Sequence, residues 1–127
     1  MEEAIQSYKD LIVWKRAMGM VTAVYELTEN FPKEEMYGLT SQIRRSAVSV
    51  PSNIAEGRAR GSSGEFLQFL RVAYGSGAEL ETQIEIAKRL KNTKALNYAT
   101  VDSLLLEVMK MLNSLMNKVY TNRKLTT

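Results

Sequence analysis

Two groups of side chains in this chain have the types and spacing to do chemistry. The first is "RARGSSGEF", residues 58–66, where Arg58 and Arg60 precede two glycines, two serine hydroxyls and the start of an expected helix. Guanidinium groups, hydroxyls and the unsatisfied N–H groups of a helix N-terminus together suit an anionic phosphate. The second is the carboxylate cluster Glu79, Glu81 and Glu85. Glu81 and Glu85 share a helical face, the arrangement that would offer oxygens to Mg²⁺. Glu85 also has Lys88 and Arg89 three and four residues on, the ordinary surface pairing, and structural pairing is the preferred reading. GSSG joins two helical patterns and follows no strand, so it is not a strand-to-helix phosphate cradle.

Composition narrows the chemistry further. The 127 residues include no histidine and no cysteine. That removes Ser-His-Asp and Cys-His nucleophile systems, histidine- or thiolate-ligated metals, disulfides and the usual near-neutral acid/base group. No enzymatic activity, metal or cofactor is expected. The net charge is +3, from 17 basic and 14 acidic residues, so the distribution of charge matters more than its sum. The acidic start MEEAIQSYKD lacks an apolar signal-peptide region, and apolar runs are far shorter than a membrane span. The expectation is a soluble cytoplasmic chain without a membrane partner.

The elements that must position these residues are helices. Apolar residues recur three or four apart, and only two prolines and seven glycines interrupt them. The pattern predicts a single all-α domain over 1–127, an antiparallel up-down four-helix bundle with helices at about 10–30, 39–59, 63–91 and 101–121. The inward positions are Leu11, Trp14, Met18, Val21, Tyr25 and Thr28 on the first helix, and Leu39, Ile43, Ala47, Val50 and Ile54 on the second. Phe66, Leu70, Ala73, Gly77, Leu80, Ile84 and Ala87 follow on the third. Ser7 with Asp10 and Ser62 with Glu65 have capping-box spacing, and Thr100 is the expected cap of the fourth helix. Pro51 either kinks the second helix or restarts it; register is preserved from Val50 to Ile54, which favours the kink. Helix four carries Leu106, Met109, Met116 and Tyr120 outside its inward stripe, a second apolar face that points to another subunit or to a Met-rich outer surface.

Folding the second and third helices back about Gly61 brings Arg44 and Arg45 level with Glu79 and Glu81. Structural ion pairs among these four are the preferred reading, and free phosphate-binding arginines the sharper one. The up-down topology also gathers Lys9, Lys15, Arg16, Lys118, Arg123 and Lys124 around the Arg58–Arg60 turn, against Glu2, Glu3, Asp10, Glu56 and Glu65. Either a basic nucleic-acid-binding pole or a set of solvated turn charges results. Trp14, Phe66 and Phe69 sit on apolar helix faces, which does not favour a base-stacking platform.

Four stretches carry a family resemblance: "YKDLIVWKRA" (8–17), "NFPKEEMYGLTSQIRRSAVSVPSNIAEGRAR" (30–60), "GSSGEFLQFLRVAYGSGAELETQ" (61–83) and "IAKRL" (86–90). On these the chain resembles the four-helix-bundle proteins encoded in intervening sequences of 23S ribosomal RNA genes. The resemblance implies an antiparallel bundle that assembles as a homopentamer. A relative in fold, the accessory variability determinant of diversity-generating retroelements, is a basic pentamer that binds nucleic acid and partners a reverse transcriptase. The partners implied are therefore copies of the chain itself and RNA or DNA. The alternative is an oligomeric scaffold that docks a protein partner and binds no nucleic acid.

Overall fold

The computed structural model describes residues 7–125, with side chains through Arg123, as four α-helices. These are α1 (Ile12–Thr28), α2 (Leu39–Ala59), α3 (Ser63–Arg89) and α4 (Ala99–Leu125), with short 3-10 turns at Tyr8–Asp10 and Lys33–Glu35. One apolar core draws on all four helices, with Met20, Ile43, Ile54, Leu70, Leu80 and Leu112 fully enclosed. No helix among the described residues is long and apolar enough to cross a membrane.

Capping chemistry sets most boundaries. Ser62 Oγ accepts from Glu65 N at 3.2 Å and donates to Glu65 Oε1 at 3.0 Å, fixing the start of α3. The Ser7–Asp10 box forms too, but it closes the first 3-10 turn rather than α1, which begins at Ile12. Thr100 does not cap α4. Asn97 Oδ1 accepts from Ala99 N at 3.0 Å, so the helix begins before Thr100, and it extends to Leu125 because TNRKL contains no breaker. α2 runs through Pro51 without a second start. Beside the proline, Asn53 Nδ2 donates to Ser49 O and Oγ, and Ser49 shares a 2.7 Å hydroxyl contact with Ser76 of α3.

The expected inward stripes of α2 and α3 are the observed ones, with Leu39 and Phe66 at the margins of the core. On α4, Val101, Leu105, Val108 and Leu112 are buried, and Met109 and Met116, expected on the outer face, instead pack against the core because the α4 surface that meets α3 includes them. The first helix differs. Val13, Ala17, Met20, Val24 and Leu27 face inward, while Met18 and Tyr25 are exposed and Trp14 is half-buried. Two overlapping apolar series compete on this helix, and the one with smaller residues packs closer to its neighbours. Trp14 instead meets Tyr8 edge-on, with ring centroids 5.4 Å apart.

α2 and α3 form the tightest pair. Ser46 meets Glu79, Ser49 meets Ser76, and Gly57 meets Phe66 and Phe69, so partners run in opposite directions along the two helices. α3 and α4 do likewise through Lys88–Asp102, Gly77–Met109 and Gly64–Arg123. Gly57 and Gly77 let helices approach where a Cβ would collide with Phe69 Cβ or Met109 Sδ.

Candidate nucleic-acid interface

The turn between α2 and α3 reverses the chain in three residues. Gly61 takes φ +90°, a left-handed conformation that glycine adopts without strain. Ser62 then caps α3, whose first N–H groups point outward at the tip. Arg58, on the last turn of α2, lines a concavity with Gly61, Ser62 and Ser63; Phe66 forms its floor, and Val119 and Asn122 of α4 its far wall. From α4, Arg123 lies across the start of α3, where a Cβ on Gly64 would stand 3.1 Å from its Nη2. Two arginines from two helices thus flank one helix N-terminus, whose partial positive charge adds to theirs. Lys118, one turn before Asn122, is exposed.

Other residues of the expected pole have different surroundings. Arg60 is held by Glu56 at 2.8 Å and Glu65 at 3.5 Å, with its guanidinium 5.1 Å above the Phe69 ring centre. The hydrogen bond and charge of Glu56, with a smaller contribution from Glu65, raise its pKa above the ordinary arginine value. Arg16 pairs with Glu107 at 3.4 Å. Sixteen residues of helix, about 24 Å at 1.5 Å per residue, separate Glu107 from Arg123. Arg16 therefore engages the middle of α4, not its tip, and neighbouring Lys15 is exposed on the same stretch of α1. The start of α1 meets mid-α4 because α1 has 17 residues and α4 has 27. The Lys124 side chain, Glu2 and Glu3 lie outside the described residues.

The arginine–glutamate pairs differ from expectation. Neither Arg44 nor Arg45 bonds Glu79 or Glu81. Glu79 accepts from the buried Ser46 Oγ at 3.0 Å, while Arg44 Nε donates to Thr28 Oγ1 at 2.8 Å and its guanidinium stands 4.5 Å over the Tyr25 ring. The axial level was legible from the hairpin, but the direction around the helix was not. Once Ser46 faces α3, each step back turns the side chain by 100°, so Arg45 points to solvent and Arg44 toward α1. The Arg44–Tyr25–Thr28 cluster is not legible in the sequence, where Arg44 and Thr28 stand sixteen residues apart across a loop.

The acidic cluster is paired at its C-terminal end. Lys88 Nζ bonds Asp102 Oδ2 at 2.7 Å and Glu85 Oε2 at 3.1 Å. Among the described residues no group of three or more acidic side chains is arranged to hold a metal ion.

Comparison with known proteins agrees with this architecture. A search of curated proteins returned no match. The family model described as "23S rRNA-intervening sequence protein" matches residues 9–114, which cover all of α1, α2 and α3 and more than half of α4. The chain belongs to the 23S rRNA-intervening sequence protein family.

Proposed function

We propose that this chain is a non-enzymatic, homo-oligomeric, cytoplasmic accessory protein that grips RNA or DNA backbone through the tip formed by the α2–α3 turn and the end of α4. The observation that supports the reading is that Arg58 shares a concavity with Ser62 and Ser63 while Arg123 lies against Gly64, so both arginines border the start of α3. Those groups offer charge and donors to phosphate oxygens and nothing shaped to read a base edge. Binding of this kind is nearly blind to sequence and steeply dependent on salt. Self-association would repeat the tip and raise its avidity. Leu106 and Tyr120, 55% and 50% exposed on α4, are the apolar surface that favours it.

A second reading, an oligomeric scaffold that docks protein and binds no nucleic acid, is favoured by the ion pairs of Arg60, which reduce the charge available at the tip, and by the pairing of Arg16 with Glu107 away from it. Titrating labelled structured RNA, single-stranded DNA and duplex DNA at low and physiological salt separates the two. The nucleic-acid reading expects saturable binding whose logarithm falls linearly with the logarithm of salt, with a slope of about −2 to −3 for three phosphate contacts per protomer. No binding even at low salt leaves the scaffold.

A further inference from the structure

At the other end of α2, thirteen residues or about 20 Å of helix from Arg58, α1 and α2 enclose a groove of about 450 Å³. Its floor holds Thr40, 4% exposed, whose Oγ1 has no hydrogen-bond partner. That oxygen lies beneath the surface and out of a ligand's reach, so the polar groups open to the groove are those of its walls. One wall is Arg44, half-buried and without a carboxylate partner. Its Nε bond to Thr28 and its stacking on Tyr25 use the inner edge and one face of the guanidinium, leaving the Nη groups to the groove. A planar fork fixed this way is organised in advance for a carboxylate or phosphate. Arg45 and Ser41 stand at the rim, and Met36, Val48 and the 97%-exposed Tyr37 supply an apolar side.

The geometry points to an acidic peptide segment of a partner protein as the occupant, with a carboxylate on Arg44 and Arg45 and an adjoining aromatic side chain against Met36, Tyr37 and Val48. No carboxylate lines the groove, so a single anionic group meets complementary charge. A nucleic-acid strand fits less well, because acids border the site on two sides. Glu34 and Glu35 form the preceding 3-10 turn, and Glu29 follows Tyr25 by one helical turn. Glu35 Oε1 also lies 3.4 Å from where a Cβ on Gly38 would stand. A carboxylate of the chain thus already sits at the start of α2, and the helix terminus is no part of the proposed site. Tyrosine, arginine and methionine around a small depression are the composition of protein-binding hot spots. This inference stands apart from the nucleic-acid reading, which concerns the opposite end of α2.

The test is an amide-resolved NMR titration of the full chain with blocked peptides GDWEG, GDAEG and GKWKG at up to millimolar concentration. GDWEG is expected to give saturable shifts centred on Tyr37, Thr40, Ser41 and Arg44, GDAEG weaker ones and GKWKG none. Arg45→Glu and Tyr37→Ala, both at exposed positions, are expected to weaken GDWEG at least fivefold with unchanged melting. Absence of saturable shifts at these residues, equal binding of GKWKG, or undiminished binding by both variants overturns the proposal. A U-rich oligonucleotide that shifts the same residues at lower concentration overturns it in favour of nucleic acid.

Discussion

Replacing Gly57 by alanine sets two opposing effects against each other, and the structure decides which prevails. Alanine in place of glycine within a helix is favourable by about 1 kcal/mol. At this position, however, the new Cβ would lie 2.6 Å from Phe69 Cβ and 3.3 Å from Phe66 Cδ1. Carbon pairs rest at about 3.5–4.0 Å, so the shortfall is roughly 1 Å. Phe69 Cβ moves only with the backbone of α3, which must step away from α2 along their closest contact. Overpacking costs about 1–3 kcal/mol, and a clash anchored on backbone belongs at the upper end. The net is a destabilisation of about 2 kcal/mol. With an unfolding entropy near 2.1 cal/mol/K per residue, that lowers the melting temperature by roughly 7 °C. Gly75 on α3 is the control, because a Cβ there meets nothing within 4 Å. Gly75→Ala therefore keeps the full gain, about 1 kcal/mol or roughly 4 °C upward. Circular-dichroism melts and urea unfolding at one fixed protein concentration measure both variants. If Gly57→Ala melts at or above the parent, the close α2–α3 approach is refuted.

Three further outcomes are expected. Reversing Arg60 removes the partner that Glu56 and Glu65 share and sets three carboxylates side by side, so Arg60→Glu should melt below the parent; an unchanged melting temperature contradicts this. Thr93→Val removes the shorter of two bonds to the Ala87 carbonyl, which accepts from Thr93 Oγ1 at 2.6 Å and keeps Leu90 N at 3.4 Å, and should cost about 0.5–1.5 kcal/mol in urea unfolding; no loss of stability contradicts this. Stability should fall in the alkaline range, above about pH 10. Burial raises the Tyr98 phenol above its ordinary value, and the Asp102 hydrogen bond raises the Lys88 ammonium. In each case the unfolded chain releases its proton first, so stabilisation present at neutral pH is lost as pH climbs through the folded values. Urea midpoints from pH 7 to 11 should decline less steeply in Tyr98→Phe, and an unchanged slope contradicts the assignment.

The length and core face of a helix were legible where one periodic series dominated. α2 matches the expected 39–59 and α3 ends two residues early, because Ser62 and Gly61 carry their own stop and start chemistry. The azimuth of α1 differs from the expected one, since Met18 and Tyr25 continue an apolar spacing as regular as that of Met20 and Val24. The tip was legible in part. Arg58 and Arg123 follow from hairpin topology, but the meeting of Arg16 with Glu107 depends on how far α1 slides along α4. Packing sets that slide, and residue spacing within one helix does not encode it. Arg44 shows the same limit around the helix axis: its level came from the turn, its partner from the rotation that buried Ser46.

The measurement that bears most directly on the central reading compares two double charge reversals on one labelled RNA. Arg58→Glu/Arg123→Glu alters the tip, and Arg45→Glu/Arg89→Glu makes the same charge change on exposed residues away from it. With folding verified by melting, the tip pair should lose at least tenfold in affinity at physiological salt and flatten the salt slope by about 1.5–2. The distal pair should stay within about threefold of the parent. Equal losses from the two pairs would contradict a nucleic-acid grip at the α2–α3 turn.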